Sequence, residues 1–256
     1  MESKLNQLLR DLPKGTVATQ NWLKERGIYR QLTNRYVKSN WLEPFDRGVF
    51  IRKGDTVDCF GAIYALQEQL ELLIHIGAIT ALNFKGYGHF LPMNGRETVH
   101  LFGVKNDLLP LWFTRHSWER AILYHNIRLF NNSNEIGYTD IDRGSFVVRA
   151  SSPERAIMEQ IRISVSNAAF DHTLELFHGL SSLRPNVVQT LLESCRSVKV
   201  KRFFLWAAEY CGHDWVNRLD TSKLNLGSGK RRIYTNGRLD KKYKITVPLN
   251  GYSADV

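Results

Sequence analysis

Long apolar runs are missing from this 256-residue sequence. The longest, Leu72 to Leu82, is broken by His75 and Thr80 and falls short of the ~20 residues that span a bilayer, which argues against a membrane partner. The opening residues carry Glu2, Lys4 and Asn6 where a secretory leader would have an apolar core, so a cytoplasmic protein is expected. Cysteine is scarce. Cys59, Cys195 and Cys211 are too few and too scattered for a disulfide framework. Internal repeats and low-complexity tracts are lacking too, which excludes a solenoid and leaves little of the chain to be disordered. What is present is 43% hydrophobic residues, ample for one small and one larger core.

Charge is unevenly placed. Residues 1–55 hold 11 Lys and Arg against 6 Asp and Glu, and residues 220–256 hold 8 against 3. The intervening residues 56–219 hold 16 of each, so the net +10 sits at the two ends of the chain. Basic ends suit contact with phosphate, and a neutral middle suits a different task.

The first basic end reads as a winged helix-turn-helix. Leu5, Leu8, Leu9 and Leu12 recur at helical spacing behind Ser3, and Pro13-Lys14-Gly15 stops the run. Thr19 is placed to cap a short helix, Gln20 to Arg26, with Trp22 and Leu23 inward and Gly27 at its end. A third helix, Tyr29 to Ser39, buries Leu32, Tyr36 and Val37 and turns Arg30, Gln31, Asn34, Arg35 and Lys38 outward. Trp41–Pro44 and Val49–Arg52 then flank the turn Phe45-Asp46-Arg47-Gly48, as in a β-hairpin. That order sets a recognition helix in the major groove with a wing beside it. The expected DNA-facing set is Thr19, Gln20, Arg30, Gln31, Asn34, Arg35 and Lys38, with Arg47, Arg52 and Lys53 of the wing on phosphates. A winged helix also serves as a protein-docking module; side chains suited to base edges favour DNA here.

Lys53-Gly54-Asp55 marks the expected boundary between a DNA-binding domain, 1–55, and a mixed α/β domain, 56–256. In the latter, helices are expected over Cys59–Leu70, Leu72–Leu82, a stretch beginning at Pro153, Ala168–Leu180, Pro185–Cys195 and Lys201–Tyr210. Strands are expected at Thr98–Phe102, Leu111–Phe113, Ile122–Tyr124, Ile127–Phe130 and Phe146–Val148. A C-terminal hairpin is expected from Arg232–Tyr234 and Tyr243–Val247 around the turn Thr235-Asn236-Gly237. The fold class is therefore α+β: a winged helix-turn-helix followed by a larger mixed domain ending in a β-hairpin.

Candidates for catalysis are weak, and no enzyme, metal or cofactor is expected. Cys211-Gly212-His213-Asp214 lacks the second ligand pair of a zinc site. His172 and His178 miss the spacing that places two ligands on one helix face. Asp140 and Asp142, with Asp107 and Glu135, could gather around metal ions, but an Asp-x-Asp in a turn more often organises the loop. Gly227-Ser228-Gly229-Lys230 fails as a phosphate-binding P-loop, because Leu224 and Arg231 stand where Gly and Ser or Thr are required. The same loop reads better as an anion-facing surface built on Lys230, Arg231 and Arg232.

Several motifs, taken in order, resemble one family. Trp22-Leu23-Lys24-Glu25-Arg26-Gly27-Ile28, Arg35-Tyr36-Val37-Lys38-Ser39-Asn40-Trp41-Leu42 and Arg47-Gly48-Val49-Phe50 look like the N-terminal winged helix of the AbiEi antitoxins of bacterial type IV toxin–antitoxin systems. Gly77–Leu82, Gly86–Pro92, Ser151–Ala156 and Leu226–Arg231 look like that family's second domain. The resemblance implies a first domain that binds inverted repeats in double-stranded promoter DNA and represses the operon. It implies a second domain that counters an AbiEii-type, nucleotidyltransferase-like toxin, with or without a stable complex. Tyr29 departs from the pattern, because a small Ser or Thr cap is expected at the start of the recognition helix. Two other readings remain open: a metal-dependent nuclease delivered by the winged helix, built on Asp140 and Asp142, and a ligand-sensing repressor with an apolar pocket in residues 56–165.

Overall fold

The computed structural model describes residues 3–88, 97–104, 108–131 and 136–249. The first half contains, in order, α1 (Lys4–Asp11), β1 (Ala18–Thr19), α2 (Gln20–Glu25), α3 (Arg30–Lys38), β2 (Leu42–Asp46), β3 (Val49–Arg52), α4 (Cys59–Glu68), β4 (His75–Ile76), α5 (Ala78–Phe84), β5 (Thr98–Gly103), α6 (Leu111–Arg115) and β6 (Ala121–Asn126). The second half contains β7 (Tyr138–Asp142), β8 (Val147–Ser151), α7 (Pro153–Ile163), α8 (Asn167–His178), α9 (Pro185–Ser194), α10 (Val198–Tyr210), β9 (Arg238–Asp240) and β10 (Ile245–Val247). No described helix is long and apolar enough to cross a membrane. The chain divides into two compact units that interleave in sequence. One comprises Met1–Ile76, Pro92–Ile127 and Asp140–Ala150; the other comprises Gly77–Leu91, Arg128–Thr139 and Ser151–Val256. Close contacts thus run across residue 55, where the sequence placed its boundary.

In the first unit, α1 to α3 close over Leu8, Leu12, Trp22, Leu23, Ile28 and Tyr36, joined by Leu42 from the hairpin. The ends of these helices follow from local chemistry. Ser3 caps α1 by accepting from the Asn6 N–H, and Thr19 caps α2 by accepting from that of Trp22. Gly27, at φ +71°, ends α2 in the left-handed region open to glycine. A three-stranded antiparallel sheet in the order β1-β3-β2 completes the winged helix. Strand β1 is too short to be read from a pattern, since its partner, β3, lies about thirty residues on.

A second sheet runs β6-β5-β4-β8-β7. β4 pairs antiparallel with β5 and parallel with β8, and β5 pairs parallel with β6 across a connection that contains α6. Helix α4 is buried over most of its length. It approaches the turn after α1 so closely that a Cβ on Gly61 would lie 1.9 Å from the Gly15 carbonyl oxygen. Beyond α4, the Gln69 amide donates to the Val17 carbonyl at 2.6 Å and accepts from the Thr19 N–H at 2.9 Å, fixing β1.

The second unit is built around α7, buried from Glu154 to Ile161 and packed by α5, α8, α9 and α10. Pro153 opens α7 where a missing N–H costs nothing. Glu159 and Gln160 of α7 accept from the N–H groups of Ala78 and Ile79, capping α5, whose own N-cap is Gly77. Glu159 also takes Arg155 at 2.9 Å and the Ser151 hydroxyl at 2.7 Å, and the Arg155 guanidinium lies over the rings of Phe130 and Tyr138. The Ser151–Ala156 motif is thus an internal scaffold.

Several expected elements take another form. Leu72–Leu82 is no single helix: His75 and Ile76 pair as β4, and α5 begins only after Gly77. A short apolar run fits strand and helix equally, and the sheet partners decide. Leu111–Phe113 is helical because Pro110 starts α6, and Ile127–Phe130 contributes one isolated bridge, Phe130 to Cys195. Asp140 and Asp142, expected in a turn after Tyr138, lie in strand β7, Tyr138–Asp142. The C-terminal hairpin joins β9 to β10 through residues 241–244, so Asn236-Gly237 turns the chain into β9 instead of closing the hairpin. Arg231 bridges Ile245 in parallel, and the N–H groups of Ile233 and Tyr234 both donate to the Thr246 hydroxyl.

Candidate nucleic-acid interface and basic loop

Helix α3 carries the face expected to meet DNA. Arg30, Gln31, Asn34, Arg35 and Lys38 are all exposed, while Thr33 and Tyr36 are buried beneath them. Neither Arg30, Arg35 nor Lys38 makes an ion pair among the described residues, so three cations stand open to an anionic partner. The helix starts at Arg30, with Tyr29 at the cap position giving no side-chain hydrogen bond. The first N–H groups therefore keep the partial positive charge of a helix start.

The wing is held from outside the three-helix core. The β2–β3 register shifts between Pro44 and Asp46, leaving Phe45 at a bulge. Its ring stacks on His116 at 4.6 Å and Trp118 at 6.0 Å and meets the edge of Trp112 at 6.4 Å. Arg47 stays exposed at the tip, beside Gly48 at φ +74°.

Other members of the expected set serve the fold. Thr19 is buried; its hydroxyl caps α2 and its N–H is taken by Gln69, so it lies inside the surface expected to meet DNA. Gln20 is half-buried, its amide donating to the Ile28 carbonyl at 3.3 Å. The Arg52 guanidinium reaches back to the carbonyls of Leu9 and Leu12, satisfying the end of α1 in place of a phosphate. Lys53 pairs with Glu43 at 2.7 Å, and this contact holds the Glu43 carboxyl below its usual range. Apart from the Thr19 cap, which is local, these partners (Gln69, Ile28, Leu9, Leu12 and Glu43) are brought up by packing, which the sequence pattern did not carry.

In the second unit, Lys230, Arg231 and Arg232 are exposed on a loop between Leu226 and Ile233. The loop is organised by Arg202 of α10, a residue the sequence reading did not single out. Arg202 is only 2% exposed, and it donates to the carbonyls of Leu226 at 2.8 Å, Gly229 at 2.7 Å and Gly227 at 3.0 Å.

The chemistry candidates fall into place as structure. Asp142 accepts from the Gly144 N–H at 2.7 Å and shapes the turn after β7; Asp107 and Glu135 lie outside the described residues. Among the described residues no group of three or more His, Cys, Asp or Glu could hold a metal ion. Cys211 ends α10, and burial pushes its thiol up to about 12. His213 is hydrogen-bonded to the Phe177 carbonyl at 2.6 Å, and His172 approaches Glu175 at 3.4 Å. An open cavity of about 360 Å³ in the first unit is lined by Lys14, Asp58, Glu119, Arg143 and neighbours, so it is charged where a ligand-sensing repressor was expected to be apolar.

Comparison with known proteins agrees with the motifs. Residues 1–93 match the family model described as "Transcriptional regulator, AbiEi antitoxin N-terminal domain", and residues 96–248 match "Transcriptional regulator, AbiEi antitoxin, Type IV TA system". No curated protein matches the sequence. Among solved structures, the chain is similar in fold to the RV2827C protein from Mycobacterium tuberculosis. The TM-score is 0.55 at 13% identity, covering 94% of this chain and 88% of that one. Winged helix, mixed second unit and both family matches lead to one conclusion: the chain belongs to the AbiEi antitoxin family, the transcriptional regulators of type IV toxin–antitoxin systems.

Proposed function

We propose that the protein represses its own operon by binding inverted repeats in the promoter, and that it counters an AbiEii-type, nucleotidyltransferase-like toxin. The observation that carries the DNA reading is the exposed, unpaired polar face of α3. Arg30, Gln31, Asn34 and Arg35 are suited to base edges in the major groove, and Lys38 and the wing's Arg47 to phosphates. The toxin reading is supported by family membership, with Lys230, Arg231 and Arg232 as the surface that meets an acidic partner. Both activities act by binding, without chemistry on a substrate.

The division of labour expected from sequence, DNA contact by 1–55 and toxin counteraction by 56–256, is separated better by substitution than by truncation. Gln69 grips Val17 and Thr19, and the aromatic residues around Phe45 lie beyond residue 55, so a cut there strips supports from the winged helix. Arg35→Ala should abolish repression of a promoter reporter while cells stay protected from the toxin. Replacing Lys230, Arg231 and Arg232 together by Gln should do the reverse, and incompletely, because exposed charges act more on encounter than on final affinity. If both variants lose both activities, the division is wrong.

A further inference from the structure

We propose that the loop 226–231 is a binding site for a phosphoryl group, cradled by the backbone N–H groups of Ser228 and Lys230 and by the side chains of Lys230, Arg231 and Arg232. The proposal rests on the reading of this loop as an anion-facing surface and is independent of the α3 contact with DNA.

The backbone supplies the first argument. Arg202 draws the carbonyls of Leu226, Gly227 and Gly229 toward one buried guanidinium. In a trans peptide the N–H points opposite to the C=O, so the N–H groups of Gly227, Ser228 and Lys230 are turned away from Arg202. That of Gly227 is taken by the Asn225 side chain at 2.9 Å. Those of Ser228 and Lys230 have no partner among the described residues. Two left-handed glycines, Gly227 at φ +63° and Gly229 at φ +71°, flank Ser228 and give the chain the alternation that forms an anion-binding concavity. Gly227 also has packing reasons to stay glycine, since a Cβ there would meet Val198 at 3.1 Å.

Charge supplies the second argument. Arg202 is buried with carbonyl partners alone, and none of Arg202, Lys230, Arg231 and Arg232 makes an ion pair among the described residues. Burial foremost, and then the nearby Arg231 charge, lower the Arg202 pKa. A buried cation without a counter-charge is costly, and an anion at the loop relieves that cost. A carboxylate offers two oxygens. A phosphoryl group offers three or more, enough to take the two open N–H groups and a cationic side chain of the loop at once.

The test uses the full-length protein and two probes at matched ionic strength. Pyrophosphate, titrated calorimetrically, represents a free phosphoryl compound; a fluorescent oligothymidylate, followed by anisotropy, represents a phosphodiester strand. Saturable one-to-one binding of either probe is expected, falling at least tenfold in the Lys230→Gln, Arg231→Gln, Arg232→Gln triple variant and unchanged in Arg218→Gln, which removes an exposed charge of the same unit outside the loop. Gly229→Ala keeps every charge but strains the backbone, and with an unchanged circular dichroism spectrum it should also lose at least tenfold. Pyrophosphate binding assigns the site to free phosphoryl compounds; binding of the oligonucleotide alone assigns it to a strand. Absence of saturable binding to both probes overturns the proposal. So does binding that survives the triple variant, or that survives Gly229→Ala, which would leave charge without a cradle. Should phosphate binding fail while the triple variant still loses protection against the toxin, the loop meets an acidic protein: the site falls and the antitoxin reading stands.

Discussion

Replacing Glu154 by Gln removes one charge from the buried start of α7, and its cost can be worked from the contacts. The carboxylate is 3% exposed and takes the Arg184 side chain at 2.8 and 3.0 Å, the Arg184 N–H at 3.1 Å and the Ser152 hydroxyl at 2.6 Å. Burial alone would raise its pKa, but these donors, Arg184 foremost, outweigh burial and hold it at about 2 against an ordinary 4.5. Through linkage, a carboxyl depressed that far contributes about 3 kcal/mol at neutral pH. Breaking a buried pair costs about 3–5 kcal/mol, and the low end applies because the Arg184 side chain, 58% exposed, stays hydrated when left alone. Two routes therefore give about 3 kcal/mol. The sign of the pH dependence follows. Because the folded pKa is depressed, the stabilisation is complete above 4.5 and is lost as pH falls toward 2. Urea unfolding followed by far-ultraviolet circular dichroism should show Glu154→Gln clearly weaker at pH 7, with the gap closing between pH 4.5 and 2. A gap that is small at pH 7, or that persists unchanged into acid, would refute the reasoning.

The wing gives a contrast between two arginines. Arg47→Ala should lower DNA affinity alike on specific and random sequence and reduce the salt slope by about one, whereas Arg52→Ala should lower the melting temperature by freeing the end of α1. Phe45→Ala should loosen the wing, weakening DNA binding while α3 keeps its base preference, as read by competition with mutated operators. Gln69→Ala should expose β1 and cost about 1–3 kcal/mol in thermal unfolding, because it leaves the Thr19 N–H and Val17 carbonyl unsatisfied.

Much of the winged helix was legible because its signals are local. Ser3, Thr19, Gly27 and the Pro13-Lys14-Gly15 stop act on their own neighbours, and the outward face of α3 follows from helical spacing alone. What was misread depends on distant partners. Leu72–Leu82 becomes β4 and α5 because Phe102, Leu101 and Ala150 offer strand partners, and Asn236-Gly237 loses the hairpin to a turn whose strands pair farther on. The site divides in the same way. Arg30, Asn34 and Arg35 could be placed by periodicity, but Arg52 is recruited by carbonyls about forty residues earlier, and Arg202 is one arginine on a helix until residues 226–229 fold over it.

The claim at the centre of this account is that α3 reads the operon's own promoter. A gel-shift titration of the wild-type protein and Arg35→Ala against the promoter fragment and random DNA of equal length, at one fixed salt concentration, tests it most directly. The account predicts that the wild-type protein prefers the promoter and that Arg35→Ala loses about 1–3 kcal/mol of that preference with its fold intact. Equal affinity of the wild-type protein for promoter and random DNA, or an unchanged preference in Arg35→Ala, would contradict it.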